Sequence, residues 1–320
     1  MLDKIIINGL SFALPLFIMA IGGIYSERSG ITNLALEGLQ GVGAFVGALV
    51  ATFLMLVVPA DSQIPYYAAI LFAMIGGMLY AMLHAVLCVN FKANQVISGV
   101  VINILAMAFT VFLTKVVNRI AFGAASDKFL LNVSSRWTIP GLSSIPAVGA
   151  VFTDMYPFEV IIVVVAFIAW YVLYRTRYGM YLRACGDNPQ AVDAAGIDVA
   201  KIRFTAVMIS GALSGLAGMC FAYSISAKYA STIYVGFGYL SIAALIFGSW
   251  KILPTLGACL LFGFARSGGH QMVQVLEMPS SYSDLVMVFP YVLTLLLLIF
   301  FSKHNAAPKA LGEIYDKGKR

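Results

Sequence analysis

Long apolar segments alternate with short polar connections along almost the whole chain. These segments cover residues 5–24, 34–59, 66–90, 97–117, 158–174, 204–224, 238–266 and 285–301. A helix needs about 20 mostly apolar residues to cross a bilayer. The pattern therefore predicts an all-α integral membrane protein, a polytopic bundle of about 8–10 transmembrane helices with broken or re-entrant segments.

One apolar segment is too long and too interrupted to be a single helix. Segment 238–266 contains Trp250, Lys251 and Pro254, which favours two shorter helices that meet near Pro254. Irregular backbone at membrane depth is tolerated only where protein or a water-filled cavity covers it. We therefore expect this region, and the start of segment 34–59, to line a translocation pathway.

Composition excludes the soluble and the disordered classes. The chain is 61% hydrophobic and 11% charged, whereas a soluble domain has about 25% charged residues. The net charge of +6 fits Lys and Arg at cytoplasmic loops and helix ends, and we expect no nucleic-acid partner. The first apolar run lacks a small-residue cleavage site before Glu27, so we expect a retained span rather than a signal peptide.

Charge also predicts the orientation of a single domain, 1–320. Positive residues are dense in loop 175–203 and in tail 302–320, so both are expected in the cytoplasm. Loop 118–157 is then external, although it contains three basic residues. Counting spans backwards places Met1 outside, whereas Lys4 favours the inside; a broken element around 25–40 would reconcile the two, and both alternatives remain open.

A few polar residues interrupt the apolar segments. Asn33, Glu37 and Gln40 are spaced to share one helix face, and Asn103 lies in the fourth span. Polar groups inside a membrane are costly and often functional, so these four residues are candidates to line the pathway and hydrogen-bond a polar solute. The alternative is a structural contact between helices. No spacing indicates a catalytic or a metal site.

Loop 175–203 predicts a short capped helix outside the bilayer. Asn188 suits the N-cap, Pro189 the first helical position and Gly196 a left-handed stop, and Asp198 can cap the next helix. The residues that follow Pro189 are mostly small and apolar, with Asp193 as a charge. Apolar surface outside the lipid marks a partner site; the alternative is that the helix lies on the membrane interface.

Four stretches together resemble a known family. They are ERSGITNLALEG at 27–38, GVVINILA at 99–106, GDNPQAVDAAGIDV at 186–199 and GYLSIAALIFGSWKILPTLGACLLFGFARSG at 238–268. Their order and spacing are similar to those of ABC importer permeases of the branched-chain amino acid, ribose and nucleoside class. The resemblance covers nearly the whole chain and is closest to the nucleoside and simple-sugar permease subunits.

The resemblance implies a complete import system in a bacterial inner membrane. Two permease subunits, expected to be a heterodimer, would form the pore. An external solute-binding protein would deliver the solute, and a cytoplasmic ATPase would drive its transport. A coupling helix would contact that ATPase, with Gly186 and Gly196 as its hinges. The residues expected to form this coupling site are Gly186, Asn188, Pro189, Ala191, Asp193, Ala194, Ala195 and Gly196.

The sequence contains no GxxxxGK[ST] phosphate-binding loop. We therefore expect no enzyme and no cofactor in this chain, with ATP and magnesium on the partner ATPase. Nucleosides are the expected solute, and ribose or galactose are alternatives. A gradient-driven secondary transporter would need paired charges in the membrane, and Glu37 stands nearly alone; a membrane-embedded enzyme would need a cluster of His, Asp or Ser that the sequence does not show.

Overall fold

The computed structural model describes residues 2–131, 135–145, 149–277 and 307–317, together with residues 288, 292 and 296. The helices before the long loop are α1 (Leu2–Arg28), α2 (Leu36–Leu54), α3 (Ile64–Ala85, continued by a π-helical turn over Val86–Asn90) and α4 (Gln95–Phe122). After it come α5 (Pro157–Arg175), α6 (Arg177–Asp187), α7 (Pro189–Ala194), α8 (Val199–Ile225), α9 (Phe237–Phe247) and α10 (Ile252–Val275). Strand β1 (Lys128–Leu130) pairs antiparallel with β2 (Lys228–Ala230), and a 3-10 helix covers Gly149–Phe152.

Seven of the helices in the described part of the chain are long and apolar enough to cross a membrane. They are α1, α2, α3 with its π-helical turn, α4, α5, α8 and α10. This confirms the predicted fold class, an all-α polytopic bundle. The predicted last span, 285–301, lies outside the described residues except for Val288, Val292 and Leu296, which are helical.

Glycines allow three helices to pack closely at the centre of the bundle. Helices α2, α3 and α8 approach so closely that a methyl group at Gly43 would overlap the Cα of Gly215. A methyl group at Gly77 would overlap the backbone oxygen of Gly211 in the same way. Small residues permit such close approach in lipid, where packing replaces the hydrophobic effect as the driving force. The GxxxG pairs of α2 and α8 are therefore used within this bundle.

The two ends of the bundle differ in charge, and we name them accordingly. The basic end carries α6, α7 and the basic residues of loop 175–203; the sheet end carries β1 and β2. Helix α1 starts at the sheet end, where Gly9 packs on Phe264 of α10, and finishes at the basic end, where Arg28 meets Gly186. With the basic end in the cytoplasm, the first helix begins outside, which agrees with the count of spans.

Segment 238–266 is divided into two helices, as predicted. The break covers Gly248–Lys251 rather than Pro254, which lies in the first turn of α10, where proline is tolerated. Ser249 and Trp250 both adopt positive φ, at 51° and 55°. Helix α9 has 11 residues, about 16 Å, which is half of a hydrocarbon layer of about 30 Å. The chain therefore returns from the sheet end to the basic end through β2, a series of turns over 231–236 and this half-length helix.

Candidate functional site

Two interrupted helices meet inside the bundle. Residues 29–35 form a non-helical stretch before α2, and residues 231–236 form turns before α9. The start of α2 lies against the start of α9, because the Glu37 side chain accepts hydrogen bonds from the backbone N–H groups of Gly236 and Gly238. Since α9 spans about half of the apolar layer, this junction lies near mid-membrane.

Glu37 satisfies the exposed start of a helix. The first N–H groups of any helix lack partners within it, and a carboxylate suits the positive end of the helix dipole. The oxygen atoms of Glu37 lie 2.5 and 2.8 Å from the nitrogen atoms of Gly236 and Gly238. This residue therefore makes the structural contact between helices that the sequence left as an alternative, and it does so beside a cavity.

Asn103 provides a hydrogen-bond acceptor for the start of α2, as Glu37 does for the start of α9. Its side-chain oxygen accepts from the backbone N–H of Gly38 at 2.7 Å. Its amide nitrogen donates to the Leu34 carbonyl at 2.8 Å and to the Tyr239 hydroxyl at 3.2 Å. One side chain thus links α2, α4 and α9 where the backbone is irregular.

A cavity of about 230 Å³ opens at this junction. We call it the central cavity; Glu37, Asn103, Tyr234, Tyr239 and Met107 are among the residues that line it. Interrupted helices that meet near mid-membrane are a common way to build a transporter's substrate site. The structure thus brings two of the four predicted pathway residues to one cavity.

The other two predicted residues do not line that cavity. Asn33 precedes α2, so it does not share a helical face with Glu37, and the spacing argument is wrong for it. Its side chain accepts from the Ala35 N–H and donates to the Ser210 hydroxyl. Gln40 is fully buried and donates to the Tyr234 carbonyl, while its side-chain oxygen has no partner.

The short helix of loop 175–203 forms at the basic end as predicted. Asn188 accepts a hydrogen bond from the Ala191 N–H at 3.0 Å, and Pro189 is the first residue of α7. Gly196 has a φ of 80°, the left-handed stop that glycine allows without strain. Asp198 caps α8 by accepting from the Lys201 N–H.

Helix α7 has one buried and one exposed face. Val192 packs with Cys185 of α6 and Val199 of α8 in a small separate apolar cluster. The exposed face carries mostly small side chains and is only weakly polar. It comprises Gln190, Ala191, Ala194, Ala195 and Gly196. We call these five residues the coupling face.

Gly186, which the family resemblance implies to be a hinge, is closely packed in the structure. It lies within α6, and a methyl group there would overlap the carbonyl oxygen of Arg28. Its own carbonyl accepts from the Ala310 N–H at 2.8 Å. Gly186 therefore permits three segments to pack closely.

A tail segment at 307–317, which the sequence did not predict to be ordered against the bundle, contacts the side of α7 opposite the coupling face. The described tail residues, 307–317, lie across the basic end, where the Arg203 guanidinium donates to the Glu313 carbonyl at 2.9 Å. Lys317 lies 3.6 Å from the Asp193 carboxylate. Tyr315 packs on the cluster of Val192; burial, and then the neighbouring Asp193 carboxylate, raise the pKa of its phenol. The tail thus joins α7 to the start of α8.

Residues 5–298 match the family model described as branched-chain amino acid transport system / permease component. The chain belongs to this permease family. It is therefore a multi-pass membrane subunit of an ABC transporter that works with other permease and ATPase subunits, and ATP hydrolysis takes place on a separate subunit.

Curated relatives share almost the full length of this permease. It is 38% identical to the guanosine ABC transporter permease protein NupQ of Bacillus subtilis, over 97% of this chain and 96% of that one. It is 37% identical to the nucleoside ABC transporter permease protein NupC of Lactococcus lactis, over 99% and 98%. A second guanosine permease of Bacillus subtilis, NupP, is 25% identical over 95% of this chain and 82% of its own.

Proposed function

We propose that this permease forms half of a nucleoside importer in a bacterial inner membrane. The observation that carries the proposal is its full-length similarity, at 38% and 37% identity, to permeases named for guanosine and for nucleosides. A nucleoside is neutral and carries hydroxyl and amide groups. The central cavity suits such a solute, because its polar groups are few and two tyrosines, Tyr234 and Tyr239, lie among its apolar lining residues.

The second permease of this importer is proposed to be a different chain. Bacillus subtilis has two guanosine permeases, NupQ and NupP, and this chain is similar to both at different levels, 38% and 25% identity. Two diverged permeases that serve one nucleoside system would form a heterodimer. An external solute-binding protein would deliver the nucleoside, with ATP and magnesium held by the ATPase.

The coupling face is the proposed contact with that ATPase. It is exposed at the basic end and consists of small residues and one glutamine, and the opposite face of α7 contacts α6, α8 and the tail. A partner that displaces α7 would therefore also move the elements to which α7 is joined. Here α7 is joined to α8, which crosses the centre of the bundle.

Ala194→Arg tests this contact. Ala194 is exposed on the coupling face, so arginine does not disturb the fold but places a long charged side chain in the proposed interface. We expect the variant to reach the membrane normally, to lose co-purification with the ATPase and to lose ATP-driven guanosine uptake. Ala125→Arg, an exposed alanine after α4 near the sheet end, is the matched control and retains both. Normal co-purification of the Ala194→Arg variant would disprove the role of α7.

A further inference from the structure

A second cavity lies in the half of the bundle near the sheet end. It has a volume of about 370 Å³, between α1, α8 and α10. We call it the outer cavity. Its size falls within the range of small-molecule sites, about 300–1,000 Å³. None of the four polar pathway candidates, Asn33, Glu37, Gln40 and Asn103, lines it, although Gly263 and Arg266 of its wall belong to segment 238–266, which the sequence predicts to line a pathway.

The outer cavity is lined largely by polar side chains. Helix α10 contributes Arg266, Ser267, His270, Gln271 and Gln274, which follow a helical repeat of three and four residues along one side. Polar residues in a membrane helix almost always face the protein interior or a water-filled space and mark a pathway. The polar side chains of this stripe therefore face the cavity rather than the lipid.

Two hydroxyl groups in this cavity have no partner in the structure. They belong to Ser267 of α10, which is only 6% exposed, and to Ser224 of α8. An unsatisfied buried hydroxyl costs about 1–3 kcal/mol. Within the helices, serines elsewhere avoid that cost: the Ser214 hydroxyl donates to the Ser210 carbonyl at 2.8 Å. Ser224 and Ser267 are thus available to a ligand that brings its own hydrogen-bonding groups.

The wall also contains the planar guanidinium group of Arg266, which covers the buried ring of Phe12. The Arg266 guanidinium lies 4.2 Å from the ring centroid of Phe12 and 5.3 Å from that of Phe237. No carboxylate is found among the lining residues that the structure describes. Such a site disfavours cations and suits a neutral solute with both hydroxyl groups and a flat ring.

We infer that the outer cavity is a nucleoside-binding site on the external side of this permease. The serine hydroxyls and Gln271, whose amide donates to the Gln274 side-chain oxygen at 2.9 Å, would bind the ribose hydroxyls. The base would stack on the planar guanidinium of Arg266, which rests on the Phe12 ring. The inference rests on the proposed function, because it takes the solute class from there. The outer cavity would be a second binding site, which the solute occupies before it reaches the central cavity.

Cysteine labelling in the assembled transporter tests this site. Ser267→Cys and Ser224→Cys each place a thiol in the cavity, and the four native cysteines are all buried. We expect N-ethylmaleimide to label both variants, and guanosine at about ten times its Kd to slow labelling about tenfold. Free ribose at the same concentration should protect less. Ser144→Cys, at an exposed serine of loop 118–157 outside the cavity, should be labelled and should show no guanosine-dependent change.

The outcomes separate the site from the proposed function. Guanosine uptake with unprotected or unlabelled thiols at both positions would overturn the outer cavity as a site and leave the nucleoside importer intact. If the wild-type transporter carries no guanosine, the proposed function fails, and this site fails with it. Protection of both thiols in a transporter that carries guanosine supports both.

Discussion

At the scale of single residues, buried polar side chains stabilise the irregular backbone of this permease. Glu27 at the end of α1 accepts a hydrogen bond from the Trp250 indole and one from the Asn33 backbone. Arg28 donates to the Trp250 carbonyl at 3.1 Å. Glu27, Glu37 and Asn103 each bind a stretch where a helix is interrupted. Side chains thus replace hydrogen bonds that the backbone lacks where the helices are interrupted.

Trp250→Phe tests this role at the break between α9 and α10. The substitution keeps the aromatic ring but removes the N–H that donates to the buried Glu27 carboxylate. Leaving a buried acceptor with one partner fewer costs about 1–3 kcal/mol. We expect a lower melting temperature of the detergent-solubilised protein. Trp137→Phe, at a residue that is 45% exposed, is the control, and an equal effect of the two substitutions would contradict this account.

At the scale of elements, the helices of the core meet through glycine. A methyl group at Gly215 of α8 would overlap the backbone of Ala73 in α3, whereas one at Gly257 of α10 would meet no atom within 4 Å. Gly215→Ala should therefore destabilise the protein by about 1–3 kcal/mol through overpacking. Gly257→Ala should be neutral or stabilise it by up to about 1 kcal/mol, because alanine favours helix.

Thermal unfolding of the two alanine variants in detergent measures this difference. The same substitution in two membrane helices isolates close packing from helix propensity. A variant at Gly215 as stable as the variant at Gly257 would show that α3 and α8 do not pack as the structure describes.

Local signals predicted the elements that local chemistry determines. Asn188, Pro189 and Gly196 predicted α7 because caps and stops act within one turn. The break after α9 was predicted in the right segment, but its position depends on Glu27 and Arg28, more than 220 residues away. Asn33 was assigned to a helical face because the sequence does not show that α2 starts only at Leu36.

The features that depend on distant contacts were missed. The tail at 307–317 contacts α6, α7 and α8 through backbone groups and single charges. Contacts of this kind leave no pattern in the sequence. The outer cavity did leave a signal: Ser267, Gln271 and Gln274 are spaced as one face of a helix. This signal lies beyond the predicted apolar segment, which ends at residue 266, whereas α10 continues to Val275.

At the scale of the whole molecule, the fold connects the proposed ATPase contact at one end to the cavities inside the bundle. The coupling face is continuous with α8, which runs from the basic end to Ser224 and Ile225 in the wall of the outer cavity. The central cavity lies between, where α2 and α9 begin. A displacement of α7 by an ATPase would therefore act on a helix that borders the route of the solute.

Uptake of labelled guanosine into proteoliposomes tests the central claim most directly. The vesicles would contain this permease with its partner permease, with or without the ATPase, and the solute-binding protein would be supplied with guanosine. The account predicts uptake that requires both the ATPase and ATP, that unlabelled nucleosides suppress and that ribose and galactose do not. Uptake by the permease chains alone under an ion gradient, or ATP-driven uptake suppressed by sugars and not by nucleosides, would contradict it.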